Sequence, residues 1–270
     1  MNLLISNDDG VFSAGISALA QELKNHYHIT IVAPESQRSG GSHAITCAKP
    51  VRVRKVTLPG LEDIDAYAVD GTPADCVRLG CTSLGVDVDM VVSGINHGGN
   101  LGTDVLYSGT FGAAMEGAIL GKAALATSCN NHFPMDFTAA SRGALWAVDY
   151  LFRNPMPKGM VLNLNAPDIS AADVRGVKIA GLCLQQYDYK HAQFTDPSGL
   201  KYFWTPSGKL TECAEEDTTD EKWVREGYIT LTPIHYDIAC YAYMEKMDVS
   251  SFDLSNLASR PKNETERGEN

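Results

Sequence analysis

Short apolar runs alternate with polar segments along the first two thirds of the chain. Residues 2–6 (NLLIS) form a buried-type run of strand length. Ile16, Leu19, Ala20 and Leu23 then recur at helical spacing, predicting an amphipathic helix over Ile16–Leu23. His28–Ala33 (HITIVA) reads as a second strand stopping at Pro34. This strand–helix–strand opening predicts a parallel α/β sheet. Residues 35–43 (ESQRSGGSH) form a polar Gly/Ser loop, and residues 44–58 alternate irregularly, as extended strands with exposed Lys and Arg would. Ala66–Val69 is a short strand. Thr72 can cap a helix with Pro73 at its first position, and that helix reaches about Ser83. Asp89–Ser93 (DMVVS) is a further strand. It feeds GINHGGNLGTDVLYSG, a stretch no periodicity explains, and a loop of that length beside a core strand is more often functional than filler. A small-residue helix (Thr110–Leu120), a strand (Ala123–Ser128), a long helix (Phe137–Phe152) and a strand (Met160–Leu164) follow.

The pattern assigns residues 1–182 to an α/β core. From 183 the composition shifts to aromatics, charges and turn residues with a hairpin character, an extension over 183–258 suited to oligomer contacts. Thr230–Pro233 within it reads as a return to the main body. From Ser259 the sequence is almost without apolar residues, predicting a disordered tail over 259–270. No internal repeat is evident.

Composition narrows the function classes. The 270 residues are 44% apolar and 20% charged, an ordinary globular balance that needs no disulfide or metal merely to fold. No apolar run spans a membrane, and no basic-then-apolar start marks a secretory signal, so a cytoplasmic protein is expected. A net charge of −11 argues against a nucleic-acid binder, which needs a cationic surface to meet phosphates. A small phosphate ester held at one site stays compatible, provided that a metal or backbone N–H groups supply positive charge. Seven cysteines, an odd number with no CxxC pair, argue against a disulfide framework or a thiolate zinc site, and most should be reduced.

The candidate chemistry lies in the loops after the strands, where α/β sheets bind ligands. Asn7-Asp8-Asp9-Gly10 follows the first strand, Ser39-Gly40-Gly41-Ser42-His43 the second, and Asn96-His97-Gly98-Gly99-Asn100 the Val91 strand. If these strands are neighbours, the loops converge. Adjacent carboxylates at ~4 Å repel by about 4 kcal/mol at an effective dielectric of ~20. Asp8 and Asp9 can share one target only if the chain turns between them, as Gly10 permits. Two carboxylates with neutral oxygens suit Mg²⁺ or Mn²⁺, and such a cation would offset the repulsion. The same residues also read as a helix N-cap at Asp8 and a solvated turn at Asp9. Ser108-Gly109-Thr110 opens a helix, either as a plain cap or as an anion seat made by hydroxyls and free N–H groups. A phosphate there could also meet the cation, which polarises phosphoryl oxygens and lowers the pKa of a water that attacks phosphorus. His235 is a candidate proton donor to the leaving group, and His43 and His97 are candidate supporting groups. No GxxxxGK[ST], GxGxxG or GxSxG occurs, removing the P-loop, dinucleotide and serine-hydrolase readings.

SNDDG, SQRSGGSHAIT, GTPADCVRLG, SGINHGGNLGTDVLYSGT and FGAAMEG together resemble the SurE family, the stationary-phase survival proteins that act as 5′/3′-nucleotidases. The resemblance covers roughly residues 1–180, with a weaker match around 228–245. It implies a Rossmann-like, mostly parallel sheet flanked by helices, with a C-terminal hairpin or extension used in forming homodimers or homotetramers. It implies a divalent-metal phosphatase of nucleoside monophosphates, in some members also of short polyphosphate. The family's metal ligands fall on Asp8, Asp9, Ser39 and Asn96, with Asn7 and Gly40 beside them and Ser108-Gly109-Thr110 on the phosphate side. Asp8 or Asp9 would help deprotonate the attacking water. The competing readings are a nucleotide-sensing or scaffold protein using the same site, and a phosphatase of other small phosphate esters.

Overall fold

The computed structural model of the chain describes residues 1–131, 136–184, 186–188, 190–204, 209–212 and 218–250. In chain order the elements begin with β1 (Asn2–Ser6), α1 (Ala14–Leu23), β2 (His28–Pro34), β3 (Val53–Val56), β4 (Asp65–Val69) and α2 (Pro73–Thr82). They continue with β5 (Met90–His97), α3 (Gly109–Ile119), β6 (Ala123–Cys129), α4 (Thr138–Arg153), β7 (Met160–Ala166) and β8 (Val177–Ile179). The last are β9 (Gln186–Asp188), β10 (Ala192–Thr195), β11 (Lys201–Trp204), β12 (Lys209–Glu212), α5 (Asp220–Arg225), β13 (Ile229–His235) and α6 (Tyr241–Met244).

Nine strands share one sheet in the order β3-β4-β2-β1-β5-β6-β7-β13-β8. The six from β4 to β7 are parallel. Numbered among themselves they run 3-2-1-4-5-6, the doubly wound order, in which the chain reverses direction across the sheet between β1 and β5. β3 closes one side antiparallel, and β13 pairs antiparallel with β7 on the other. Thr230–Pro233 thus lie in a strand of the main sheet. Two small antiparallel ladders, β10 with β11 and β9 with β12, stand apart from it. The chain forms two compact units, Met1–Tyr236 and Asp237–Asn270. The expected tail over 259–270 lies outside the described residues.

Strand alternation sorts the core into two layers. Leu3 and Ile5 pack with Ile16, Leu19 and Leu23 of α1 and Ala144, Val148 and Leu151 of α4. Leu4 faces the other way, with Cys76 and Val77 of α2, Val91 of β5 and Ala113 of α3. Each large side chain buried this way contributes about 1.5–3 kcal/mol. α2 begins as its sequence predicts: Thr72 and Asp75 form a reciprocal capping box.

Three local readings are corrected. α1 starts at Ala14, because the Ser13 hydroxyl accepts the Ile16 N–H at 3.4 Å and caps the helix. β5 continues past Ser93 to His97 through a register slip, so the segment expected as loop begins as strand and later makes a 3₁₀ turn over Gly102–Leu106. Of residues 44–58, only β3 is a strand. Among the described cysteines five are free, as expected for most, whereas Cys183 is disulfide-bonded.

Candidate active site

β1 lies between β2 and β5, with Ser6 opposite Ser93, so the loops leaving all three strands emerge on one edge of the sheet. They enclose a cleft of about 740 Å³ whose lining includes Asp8, Ser39, Gly40, Asn96, Tyr107 and Ser108.

The turn after β1 is braced from within. Gly10 adopts φ +104°, which a side chain would strain. Asn7 is buried; its Nδ2 donates to Gly10 O (3.0 Å) and Ser13 Oγ (2.8 Å), and its Oδ1 accepts the Gly10 N–H (3.2 Å). Asn7 therefore shapes the turn. Asp8 is 3% exposed, and its Oδ1 accepts a hydrogen bond from the Thr110 hydroxyl. Burial pushes the Asp8 carboxyl above its usual range, the Asp9 charge adds to that, and the Thr110 hydrogen bond opposes both. Asp9 is less buried: Oδ2 accepts the His97 N–H at 3.1 Å, and Oδ1 accepts from Gln37 Nε2 at 3.5 Å. Gln37 Nε2 also donates to Ser39 Oγ at 3.0 Å, linking the exposed Ser39 to Asp9. Neither carboxylate caps α1, which removes the capping reading of Asp8. Asn96 donates Nδ2 to Gly98 O at 2.7 Å, leaving its amide oxygen as the group free to meet a ligand.

α3 points its N-terminus at the same place. Ser108 caps it, accepting the Phe111 N–H at 3.0 Å, and also lines the cleft. A Cβ on Gly109 would stand 2.8 Å from Asp8 Cβ and 2.9 Å from Asp8 Oδ2. The first turn of the helix thus rests directly against the carboxylate, and only glycine fits between them. In that turn the Phe111 N–H goes to the Ser108 cap and the Thr110 N–H turns toward Asp8, so the Gly109 N–H and the helix dipole are what it offers an anion beside the acid pair.

The donor set suits a hard divalent cation. Asp8, Asp9, Ser39 and Asn96 offer oxygen only. No group of three or more His, Cys, Asp or Glu gathers anywhere among the described residues, as a nitrogen–sulfur site would require. No cationic side chain among the described residues offsets the buried Asp8 charge.

Other residues hold the walls, and the sequence reading missed most of them. Asn100 N–H donates to Asn165 Oδ1 (2.8 Å), and Asn100 O accepts from Asn163 Nδ2 (2.9 Å) and Asn165 Nδ2 (3.1 Å). Asp220, fully buried at the start of α5, accepts the N–H groups of Gly102 (2.8 Å), Cys183 (3.0 Å) and Glu221 (2.9 Å). Two asparagines in the otherwise apolar β7 run MVLNLNA were the available signal. Across the cleft, Ser42 donates its N–H to Tyr107 O (3.0 Å) and its hydroxyl to Leu106 O (2.7 Å). His43 Nε2 lies 2.8 Å from Glu116 Oε2, and Arg78 Nε donates to Glu116 Oε1 at 2.8 Å. His43 therefore latches its loop to α3, while the His97 ring packs on Phe137 at 5.2 Å. His235 is excluded as a proton donor to this site. It pairs with Met160 at the start of β7, the opposite edge of the sheet, and a seven-residue strand at 3.3 Å per residue separates the edges by about 20 Å.

These features define a doubly wound α/β protein with an oxygen-lined cleft and an anion seat at its switch point. The family model described as "Survival protein SurE" matches residues 3–189. The 5′-nucleotidase SurE of Syntrophomonas wolfei is 41% identical over 259 residues, 95% of this chain and 97% of the relative. That of Synechococcus sp. (strain JA-3-3Ab) is 40% identical over 250 residues, 92% and 96% of the two chains. The crystal structure of the SurE protein from Aquifex aeolicus superposes with a TM-score of 0.78 at 34% identity, covering 92% of this chain and 98% of that one. The chain belongs to the SurE family.

Proposed function

We propose that this chain is a divalent-metal-dependent 5′-nucleotidase, hydrolysing nucleoside 5′-monophosphates, and 3′-monophosphates at the same site, to nucleoside and phosphate. The observation that carries this reading is the contact between the buried Asp8 and the first turn of α3, a carboxylate set against a helix N-terminus, as a cation and a phosphate sharing one site would need. Relatives named 5′-nucleotidases, at about 40% identity over nearly the whole chain, support the choice of a nucleotide ester.

Asp8, Asp9, Ser39 and the Asn96 amide oxygen would hold Mg²⁺ or Mn²⁺. Such an ion supplies charge neutralisation at the phosphoryl oxygens and lowers the pKa of water toward neutrality. The start of α3 at Ser108, Gly109 and Thr110, with the Gly109 N–H and the helix dipole, would bind and orient the phosphate. Thr110 fixes the Asp8 carboxylate through its hydroxyl. Asp9, the more open acid, is placed to take the proton from the attacking water. The water oxygen bonds to phosphorus, the ester P–O bond breaks, and the nucleoside oxygen takes a proton from solvent as it leaves, while Asp9 returns to solvent the proton it took from the water. Gly40 takes φ +71°, a turn that a side chain would strain, in the loop that carries Ser39. Exposed apolar side chains at Ile179, Leu184, Phe194, Phe203 and Trp204 support a homodimer or homotetramer.

Purified protein incubated with 5′-AMP, 3′-AMP, GMP and p-nitrophenyl phosphate, with Mn²⁺ or with EDTA, tests this. Phosphate release from the nucleotides in Mn²⁺, abolished by EDTA, is expected. Release insensitive to EDTA would overturn the metal requirement. Tight nucleotide binding with no release under Mg²⁺, Mn²⁺ or Co²⁺ would replace the enzyme with a nucleotide sensor.

A further inference from the structure

Two aromatic rings line the cleft: His97, which packs on Phe137, and Tyr107, which stands beside the start of α3. Tyr107 immediately precedes Ser108, the cap of α3, so their Cα atoms are 3.8 Å apart. It lines the cleft, and it is 58% exposed. Its backbone, by contrast, is fixed on both sides. The Tyr107 N–H donates to Asp104 O at 3.0 Å, and Tyr107 O accepts from Ser42 N–H at 3.0 Å. Leu106, 62% exposed, has its carbonyl held by the Ser42 hydroxyl at 2.7 Å. The fixed backbone and open ring face of Tyr107 suit a platform for a flat ligand, since little backbone ordering remains to oppose binding.

Of the other cleft side chains, His97 turns its ring onto Phe137, 5.2 Å away, and the rest are acids, amides and hydroxyls, which recognise phosphate and cation but offer no ring face. A mononucleotide carries one aromatic group at the far end from its phosphate. We propose that Tyr107 is the base platform of this site: the nucleobase stacks on its ring while the phosphate occupies the N-terminus of α3. Every base has a π-face, so the contact admits all four and favours the larger purine ring. Tyr107 is on this account a specificity-determining residue that separates nucleotides from base-free phosphate esters. The inference rests on the nucleotidase reading of the site.

The test compares 5′-AMP with ribose 5-phosphate, which keeps sugar and phosphate but has no ring to stack. Both turnover and calorimetric binding are measured in wild type, Tyr107→Ala and Tyr107→Phe. The preference for AMP over ribose 5-phosphate, as a ratio of kcat/KM and as a ratio of Kd, is expected to fall about tenfold in Y107A, in the lower range of base–aromatic stacking. It should be restored to within about twofold in Y107F, since stacking needs the ring and not the hydroxyl. The loss should be larger for AMP than for CMP. A ratio unchanged in Y107A overturns the proposal, as does an equal loss for both esters, which would make Tyr107 a prop for the phosphate loop. If wild type releases no phosphate from either ester, the nucleotidase reading fails, and the Kd ratio still decides the platform.

Discussion

The two loops that wall the cleft are held in opposite ways. The loop over 98–106 is rooted downward into the protein. The Asn100 backbone goes to the amides of Asn163 and Asn165, and the Gly102 N–H goes to Asp220, all with buried partners. The loop over 37–46 lies on the outside and is clamped sideways, by Ser42 to residues 106 and 107, by His43 to Glu116 and by Thr46 to Asp75. A buried anchor has no water to replace it, so losing it leaves donors stranded. On the other loop Glu116 and Asp75 are also buried, but the loop's own Ser42, His43 and Thr46 are exposed or half-buried, so water can take over that half of each clamp at a lower cost. The wall beside the start of α3 is therefore the more deeply rooted, and the wall that carries Ser39 the more open to water.

Three substitutions probe that contrast, in order of expected effect. The largest is Asp8→Asn, at the point where both walls meet. It removes a carboxylate charge from the candidate cation site and should lower kcat/KM on the order of 10³-fold, about 4 kcal/mol of transition-state stabilisation, with an unchanged circular dichroism spectrum. A variant with full activity would show that Asp8 has no part in holding a cation. Next is Asp220→Ala on the rooted side, which leaves three backbone N–H groups without their acceptor. Urea unfolding should report a loss of about 3 kcal/mol. A loss below about 1 kcal/mol would mean that water enters to replace the carboxylate, so that this wall is no more rigid than the clamped one.

The smallest effect is expected on the clamped side, from Glu116→Gln. Burial alone would raise the Glu116 carboxyl, but hydrogen bonds from His43 and Arg78, with their charges, more than offset it and hold it below its usual 4.5. Because Arg78 and His43 are partly exposed, the substitution should cost about 1–2 kcal/mol at pH 7, well under the value for a fully buried pair. A carboxyl lowered on folding contributes stability above its unfolded value and loses it as pH falls through its folded value. The stability gap between wild type and E116Q should therefore narrow below about pH 4.5. A gap that widens in acid would show that Glu116 is held protonated.

The pieces of the sheet were legible because each strand is a short apolar run cut off by Gly, Pro or a polar loop. Their neighbours were not: nothing local in NLLIS or DMVVS says that β1 and β5 lie side by side. The structure brings the acid pair, Ser39, Asn96 and the helix start to one cleft, as loops leaving neighbouring parallel strands on one edge would. Asn7 serves as the brace of the turn, and its position alone could not show that. β5 was cut short in the reading because Gly94 looks like a loop start, whereas the strand passes through it with a slip of register. Asp220 was invisible, because its partner Gly102 is 118 residues away in the chain. His235 was misplaced for the same reason, since only its pairing with Met160 puts it on the far edge.

That long reach from Gly102 to Asp220 also sets an order of assembly. All the candidate ligands, from Asp8 to Thr110, leave the ribosome early, but the acceptor that seats Gly102 and the strand that covers β7 arrive only with residues 220–235. At roughly 5–20 residues per second, the nascent chain carries an unfinished pocket for several seconds. A polypeptide released at residue 182 would own every group assigned to the chemistry and still lack the one that holds its floor in place.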